Sequence, residues 1–457
     1  MRMPATAPTL AGLLRKLPAE RRVKAFLYAG GDRREPRYLH WDKLRHLPCP
    51  EGLNHEQWWL AEKLARSSTM KAVPLQDHKG HPFRFLVPDR VARQLHEIDL
   101  GAGGRIALPE AVTNGATRDQ YLVSSLIHEA ITSSQLEGAL TTREVAKNML
   151  RTGRRPVDRS ERMILNNYLT MRHIRDIKDQ DLSPDLVFDL HRRITRDTLD
   201  KADAAGRFRR GGEPVTVEDE TGEVFHHPPP AGQLEARLRR MCDFANGLPA
   251  EPFVHPAVRA MILHFWLAYD HPFVDGNGRT ARALFYWGML RAGYWLFEFV
   301  SISDILKKAP ARYYRSFLYT ETDENDLTYF IIHQADVIGL AVGSLLAYIG
   351  RRTREVATSE ALLRGYDLNH RQIALLGHAL RHPAAVYSIA GHQRSHATAY
   401  DTARKDLLAL AGLGFLLQGK RGRAMAFHVP PDLDQQIGRR PGQAQPSSPA
   451  NGSPGMR

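Results

Sequence analysis

The sequence predicts a mainly α-helical protein with one small β-hairpin, followed by a short helical module that ends in a second hairpin. Three observations predict it. Val258, Met261, Ile262, Phe265, Trp266 and Tyr269 recur at i, i+3, i+4 and i+7, the spacing of a buried helix face. Strand-like runs are short and flank turn residues. Residues 370 to 429 run helix, helix, helix, hairpin.

Taken in order, Ala25-Phe26-Leu27-Tyr28 reads as a strand, and Asn54 to Ser67, with Trp58, Trp59, Leu60 and Leu64, as a helix. Residues 76 to 88 read as a short hairpin. The start of the chain has apolar and basic residues but no signal-peptide core with a cleavage site, so a docking or frayed segment is expected there. A helix beginning near Asp119 ends at Ser133-Ser134-Gln135-Leu136-Glu137-Gly138, where glycine suits a helix C-terminus. Glu161 to Lys178 and Pro184 to Thr198 are helical by pattern. Val215-Thr216-Val217 and Val224-Phe225-His226 flank the polar turn Asp219-Glu220-Thr221-Gly222 as a hairpin. His226-His227 before three prolines reads as a solvated loop, because no third metal ligand is spaced nearby. Asp326 to Arg352 reads as a long helix closing the core.

The third region buries Ile373, Leu375, Leu376 and Leu380, then Ala403, Leu407 and Leu410, with Ser388 to Gln393 a short helix between. Phe415-Leu416-Leu417 and Ala424 to Val429 are strand-like around a basic turn, Gln418 to Arg423. Eight Lys/Arg against two Asp/Glu give residues 370 to 429 a net charge of +6. From 431 on, Pro, Gly, Gln and Ser predict disorder. The boundaries expected are 1–110, 111–355, 366–430 and 431–457.

Composition limits the function classes. With 457 residues there is length for two or three domains. The apolar runs are too interrupted to span a membrane, so no membrane partner is expected. Two cysteines, Cys49 and Cys242, lack metal or redox spacing, which makes a reducing cytoplasm the expectation. A formal charge of +13 favours acidic partners.

Chemistry is concentrated in His271-Pro-Phe-Val-Asp275-Gly276-Asn277-Gly278-Arg279-Thr-Ala-Arg282. A second helix begins near Asn277 or Gly278, so the glycines lie where free backbone N–H groups and the helix dipole hold an anion. Arg279 and Arg282, three apart, share a helix face and can both reach that anion. A histidine beside a phosphate loop suggests phosphoryl or nucleotidyl transfer to a hydroxyl, with His271 as general base. Asp275 is a hard oxygen ligand suited to Mg²⁺ on substrate phosphates.

This string resembles the core motif of the Fic family, H-P-F-x-[D/E]-G-N-G-R-x-x-R, at every fixed position. The resemblance implies a helical core with a hairpin flap, and transfer of AMP from ATP to a Ser, Thr or Tyr hydroxyl of a target protein. It implies that His271 is the base and that Asp275 holds Mg²⁺. Gly276, Asn277 and Gly278 would line the anion hole, Arg279 would grip the β phosphate and Arg282 would meet the γ phosphate. Ser133 to Gly138 resembles the family's inhibitory motif, which implies a pairing of Glu137 with Arg282 that competes with ATP. Gly206-Arg207-Phe208-Arg209 resembles the family's G-x-[F/Y]-R turn, and the hairpin after it a flap that holds the target segment by strand pairing. Residues 370 to 429 resemble a winged helix-turn-helix, whose third helix would turn Tyr400, Thr402, Arg404 and Lys405 to duplex DNA. A protein-docking module or one that makes a homodimer stays open for that region. So do two alternatives for the whole chain: removal of AMP from a modified protein, and a DNA-binding regulator whose core senses ATP.

Overall fold

The computed structural model describes residues 2–31, 38–102, 115–213, 215–218, 221–363, 366–381, 385–396, 398–421 and 424–438. They divide into two compact units, residues 1–346 and 347–457.

In the first unit the N-terminal helices are α1 (Leu10–Lys16), α2 (Ala19–Gly30), α3 (Trp41–Leu44) and α4 (His55–Ser67). Asn54 and Gln57 form a capping box that starts α4, each side chain accepting from the other's backbone N–H at 2.9 and 3.0 Å. Leu13, Ala25, Leu44, Trp59 and Leu60 make one buried cluster. The strand expected at 25–28 is instead part of α2. Its Ala25 is turned inward while Phe26 and Leu27 are 67% and 68% exposed, a one-sided burial that a short apolar run does not reveal.

A hairpin of β1 (Lys71–Gln76) and β2 (Pro82–Phe85) precedes α5 (Asp89–Ala102). Next come α6 (Gly115–Leu136), α7 (Arg143–Thr152), α8 (Arg159–Asp176) and α9 (Pro184–Ile194). Ile127, Ala130 and Ile131 of α6 pack on Ala146, Met149 and Ile164. A second hairpin, β3 (Val217–Glu218) with β4 (Val224–His226), leads to α10 (Leu234–Ala245). Asp219 and Glu220 of its turn lie outside the described residues.

The centre of the unit is α11 (Pro256–Asp270) against α12 (Asn277–Arg291). Phe265, Trp266, Phe285, Tyr286 and Trp287 are buried around it. Gly288 permits the close approach, since a Cβ there would lie 3.0 Å from Ala260 Cβ. α13 (Ile302–Lys308) and α14 (Pro310–Glu321) follow. The buried Glu129 of α6 accepts from Ser301 Oγ at 2.8 Å and from Ser303 N at 3.1 Å, which ties α6 to the start of α13. Charged residues of the N-terminal helices hold the loop after α14: Lys63 to Asp323 at 2.7 Å, and Arg66 to Tyr329 at 2.9 Å.

α15 (Thr328–Leu363) runs longer than expected. Its stretch Thr328–Arg351 has the length and hydropathy of a membrane span, which corrects the expectation that no run would. Half of that window is buried inside the protein, as in the core helix of a globular domain.

The second unit contains α16 (His370–Arg381), β5 (Val386–Tyr387), α17 (Ile389–His396), α18 (Tyr400–Gly412), β6 (Leu417–Arg421), β7 (Ala424–His428) and α19 (Leu433–Gly438). Its sheet is antiparallel in the order β5-β7-β6. Leu375, Leu376, Leu407, Leu410, Phe415 and Phe427 form the core. The disorder expected from residue 431 is corrected for α19, because Leu433 and Ile437 bury themselves in that core. Residues 439 to 457 lie outside the described residues. Truncating the fully buried Leu407 to alanine is expected to cost about 2–5 kcal/mol. Amide exchange of the full chain checks it: protection should fall across residues 370–438 and stay unchanged around α11 and α12.

Candidate active site

The turn between α11 and α12 is built by two left-handed residues. His271 caps α11 at φ 43° and Gly276 precedes α12 at φ 82°. At Gly276 only glycine fits, because a Cβ would stand 2.6 Å from Thr195 Cγ2. Asn277 closes the turn: Phe273 N donates to its Oδ1 at 2.9 Å, and its Nδ2 donates to Phe273 O at 2.8 Å. Its side chain is thus fully used in holding the loop rather than facing a ligand.

His191 of α9 is a part of this turn that sequence reasoning missed. Its ring stacks on Phe273 with centroids 3.7 Å apart. Nδ1 accepts from Gly206 N at 2.9 Å, which leaves Nε2 protonated to donate to Asp275 O at 2.9 Å. Burial pushes this imidazole down to about 4, so the neutral tautomer persists. Arg209, of the expected G-x-[F/Y]-R turn, donates through Nε to His271 O at 2.9 Å and through Nη2 to Pro229 O.

His271 faces Ala268 O with Nδ1 at 3.1 Å, an arrangement that places the proton on Nδ1 and leaves the Nε2 lone pair free. Burial lowers its pKa to about 4, so the ring is an unprotonated acceptor at neutral pH. It opens into a cavity of about 590 Å³ shared with Glu137, Gly278 and Arg282. Tyr313, Tyr314, Phe317 and Phe225 supply aromatic walls.

Glu137 meets Arg282 at 3.0 Å. Arg282 is buried and also donates to Ser133, through Nε to Oγ at 2.8 Å and through Nη2 to the carbonyl at 3.0 Å. Burial works against its charge, but the Glu137 carboxylate more than offsets this and raises its pKa. That carboxylate also lies over the first turn of α12, since a Cβ on Gly278 would come within 2.2 Å of Glu137 Oε1.

Asp275, Gly276, Asn277 and Arg279 do not line this cavity. The Asp275 carboxylate is 40% exposed, 3.5 Å from Arg159 Nη2 and 3.6 Å from Arg279 Nη2. Arg279 is fully buried and donates through Nη1 to Ile194 O at 3.2 Å. Its Nε has no hydrogen-bond partner among the described residues. Burial lowers its pKa.

His226 corrects the solvated loop expected there. It is buried at the hairpin's end, with Nδ1 2.7 Å from Glu321 Oε2 and Nε2 2.7 Å from Tyr269 O. The carboxylate across the cavity, 95 residues away in sequence, supplies the partner that no local spacing shows.

Residues 181–289 match the Fic/DOC family. The chain carries a Fic domain. It is 28% identical to a protein adenylyltransferase Fic from Drosophila willistoni over 211 residues, which cover 44% of this chain and 39% of that protein. It is 34% identical to a protein of the same name from Nematostella vectensis over 117 residues, 26% of this chain and 25% of that one. The match therefore spans well under half the length of these relatives. A Fic family protein from Desulfovibrio desulfuricans superposes with a TM-score of 0.48 at 18% identity, covering 75% of this chain and 95% of its own. Fic-1 from C. elegans gives 0.44 at 24%, with coverages of 57% and 73%.

Asn277→Ala is expected to cost about 1–3 kcal/mol, because it strands a buried N–H and a buried carbonyl on Phe273. Asn277→Asp restores the acceptor alone and should fall between wild type and alanine. Thermal unfolding of the three proteins checks the order.

Proposed function

We propose that this protein is an adenylyltransferase that moves AMP from ATP to a hydroxyl of a target protein. The observation that carries the reading is the free Nε2 of His271, unprotonated at neutral pH, in one cavity with Arg282 and the N-terminal turn of α12. A volume of 590 Å³ is in the range of small-ligand sites, and the aromatic wall suits a nucleobase. Bound there, ATP would direct its phosphates to the α12 N-terminus and the two arginines. The target hydroxyl oxygen would form a bond to the α-phosphorus while His271 Nε2 takes its proton and pyrophosphate leaves. The β3–β4 hairpin would present the target segment by strand pairing.

Asp275 fits a magnesium site of the kind completed by substrate and water. It offers one half-exposed carboxylate, and among the described residues no group of three or more His, Cys, Asp or Glu forms an all-protein cage. Mg²⁺ held there would neutralise charge on the α and β phosphates.

Glu137 restrains the enzyme in this reading. Arg282 serves either its carboxylate or a γ phosphate, and a charge-assisted contact of this kind is worth on the order of 1.5–3 kcal/mol. Glu137→Gly is therefore expected to raise self-labelling from labelled ATP about ten- to a hundredfold. Glu137→Gly combined with His271→Ala should leave no label while ATP binding stays within a few fold. Unchanged labelling by Glu137→Gly, with loss of AMP removal from a modified protein, would instead make Glu137 a catalytic residue of the reverse reaction.

We also propose that the second unit is a winged helix-turn-helix that binds duplex DNA. Helix, strand, helix, helix and two strands follow in that order, and Tyr400, Arg404 and Lys405 lie exposed on α18 with Thr402 half-buried beside them. Arg404→Ala with Lys405→Ala should weaken binding and reduce the salt slope by about one or two units. A gel-shift series over salt concentration checks this, and no shift at low salt would make the unit a protein-docking module.

A further inference from the structure

The β3–β4 hairpin is too small to hold its own shape. Its strands are Val217–Glu218 and Val224–His226, with an irregular register between them. An isolated two-stranded ribbon of this size is marginal in water, so its position depends on what its side chains grip. Phe225 and His226 are the buried ones, at 8% and 7% exposure.

We propose that His226 is a positioning residue, a charged latch that fixes the hairpin over the cavity by gripping α11 and α14 at once. The geometry carries it. Both ring nitrogens lie 2.7 Å from acceptors, Glu321 Oε2 on α14 and Tyr269 O in the last turn of α11. Neither acceptor can donate, so both contacts are made only by a doubly protonated ring. The grip on Tyr269 is two residues before His271, so the hairpin is held to the same helix end that presents the candidate base.

The groups around the latch are few. From α14 comes Glu321. From α11 come Asp270 and His271; Asp270 is bonded to Arg237 of α10 at 2.8 Å and to Trp266 Nε1 at 3.0 Å, which spends its charge elsewhere. From the turn before the hairpin comes Arg209, occupied by the carbonyls of His271 and Pro229. Burial opposes the charge on His226, and Glu321 more than offsets it, raising the pKa. Glu321 is thus the group that keeps the latch closed. The closed form is present while the ring is charged and is lost as pH rises through this raised pKa. Presentation of a target segment then becomes pH-dependent, an inference that rests on the proposed function.

The test uses the full chain with labelled histidine. In wild type, amide exchange of residues 217–226 should quicken about tenfold across the His226 titration followed by NMR. In Glu321→Gln, that titration should fall by at least about one unit, the hairpin should already exchange fast at neutral pH, and Glu321→Asp should restore part of both. With a target protein in hand, its KM should rise through the same titration in wild type and stay high and flat in Glu321→Gln. Exchange at 217–226 that ignores both pH and these variants overturns the latch. So does a His226 titration that Glu321→Gln leaves in place. The titration and exchange need neither ATP nor target, so a missing transfer activity with an intact latch counts against the proposed function alone.

Discussion

Two hydrogen bonds between Asn277 and the backbone of Phe273 set the geometry on which the rest of the site depends. They close a turn whose ends are left-handed, at His271 and Gly276, and left-handed turns do not persist unless something over-determines them. Asn277 does so from within, and His191 and Arg209 from outside, by holding the carbonyls of Asp275 and His271. With the turn fixed, an imidazole at the end of one helix and the open N–H groups at the start of the next face the same space. No large catalytic apparatus is then required, because the helix ends themselves supply orientation and positive potential.

Electrostatics in this space is a contest for one guanidinium. Arg282 is buried deep enough that it needs a carboxylate or a phosphate, and Glu137 is the carboxylate at hand. Arg279 differs: it is equally buried, yet it keeps an Nε with no protein partner among the described residues. Burying a donor unpaired is costly, so the turn holds its second arginine in a condition that an incoming anion would relieve.

Much of this was legible in the sequence because the residues are adjacent. The run from His271 to Arg282 names its own chemistry, and the helices on either side announce themselves by apolar spacing. What escaped notice depends on distance along the chain. His191 acts on Asp275 from 84 residues away, and its own neighbourhood gives no hint of that. His226 looked like loop because two histidines before prolines are polar on any scale, and only the fold brings Glu321 to them. Ala25 to Tyr28 looked like a strand because four apolar residues have no period to read. The end of the second unit failed on composition: Leu433 and Ile437 are isolated among polar residues, but four positions apart they share one face of a helix turn.

The bond from Glu129 to the two serines at the start of α13 has a mechanical consequence. Glu129 and Glu137 lie on the same helix, about two turns apart, and the first is buried with its acceptor capacity spent on Ser301 and Ser303. Sliding α6 out as a rod would leave that carboxylate buried without donors, a cost that grows with desolvation. Parting Glu137 from Arg282 is far cheaper if only the final turn unwinds, hinged on Gly138 in its left-handed conformation at φ 88°. The helix then behaves as a fixed post with a loose tip, and any ligand that frees Arg282 has to melt one turn rather than move the whole element.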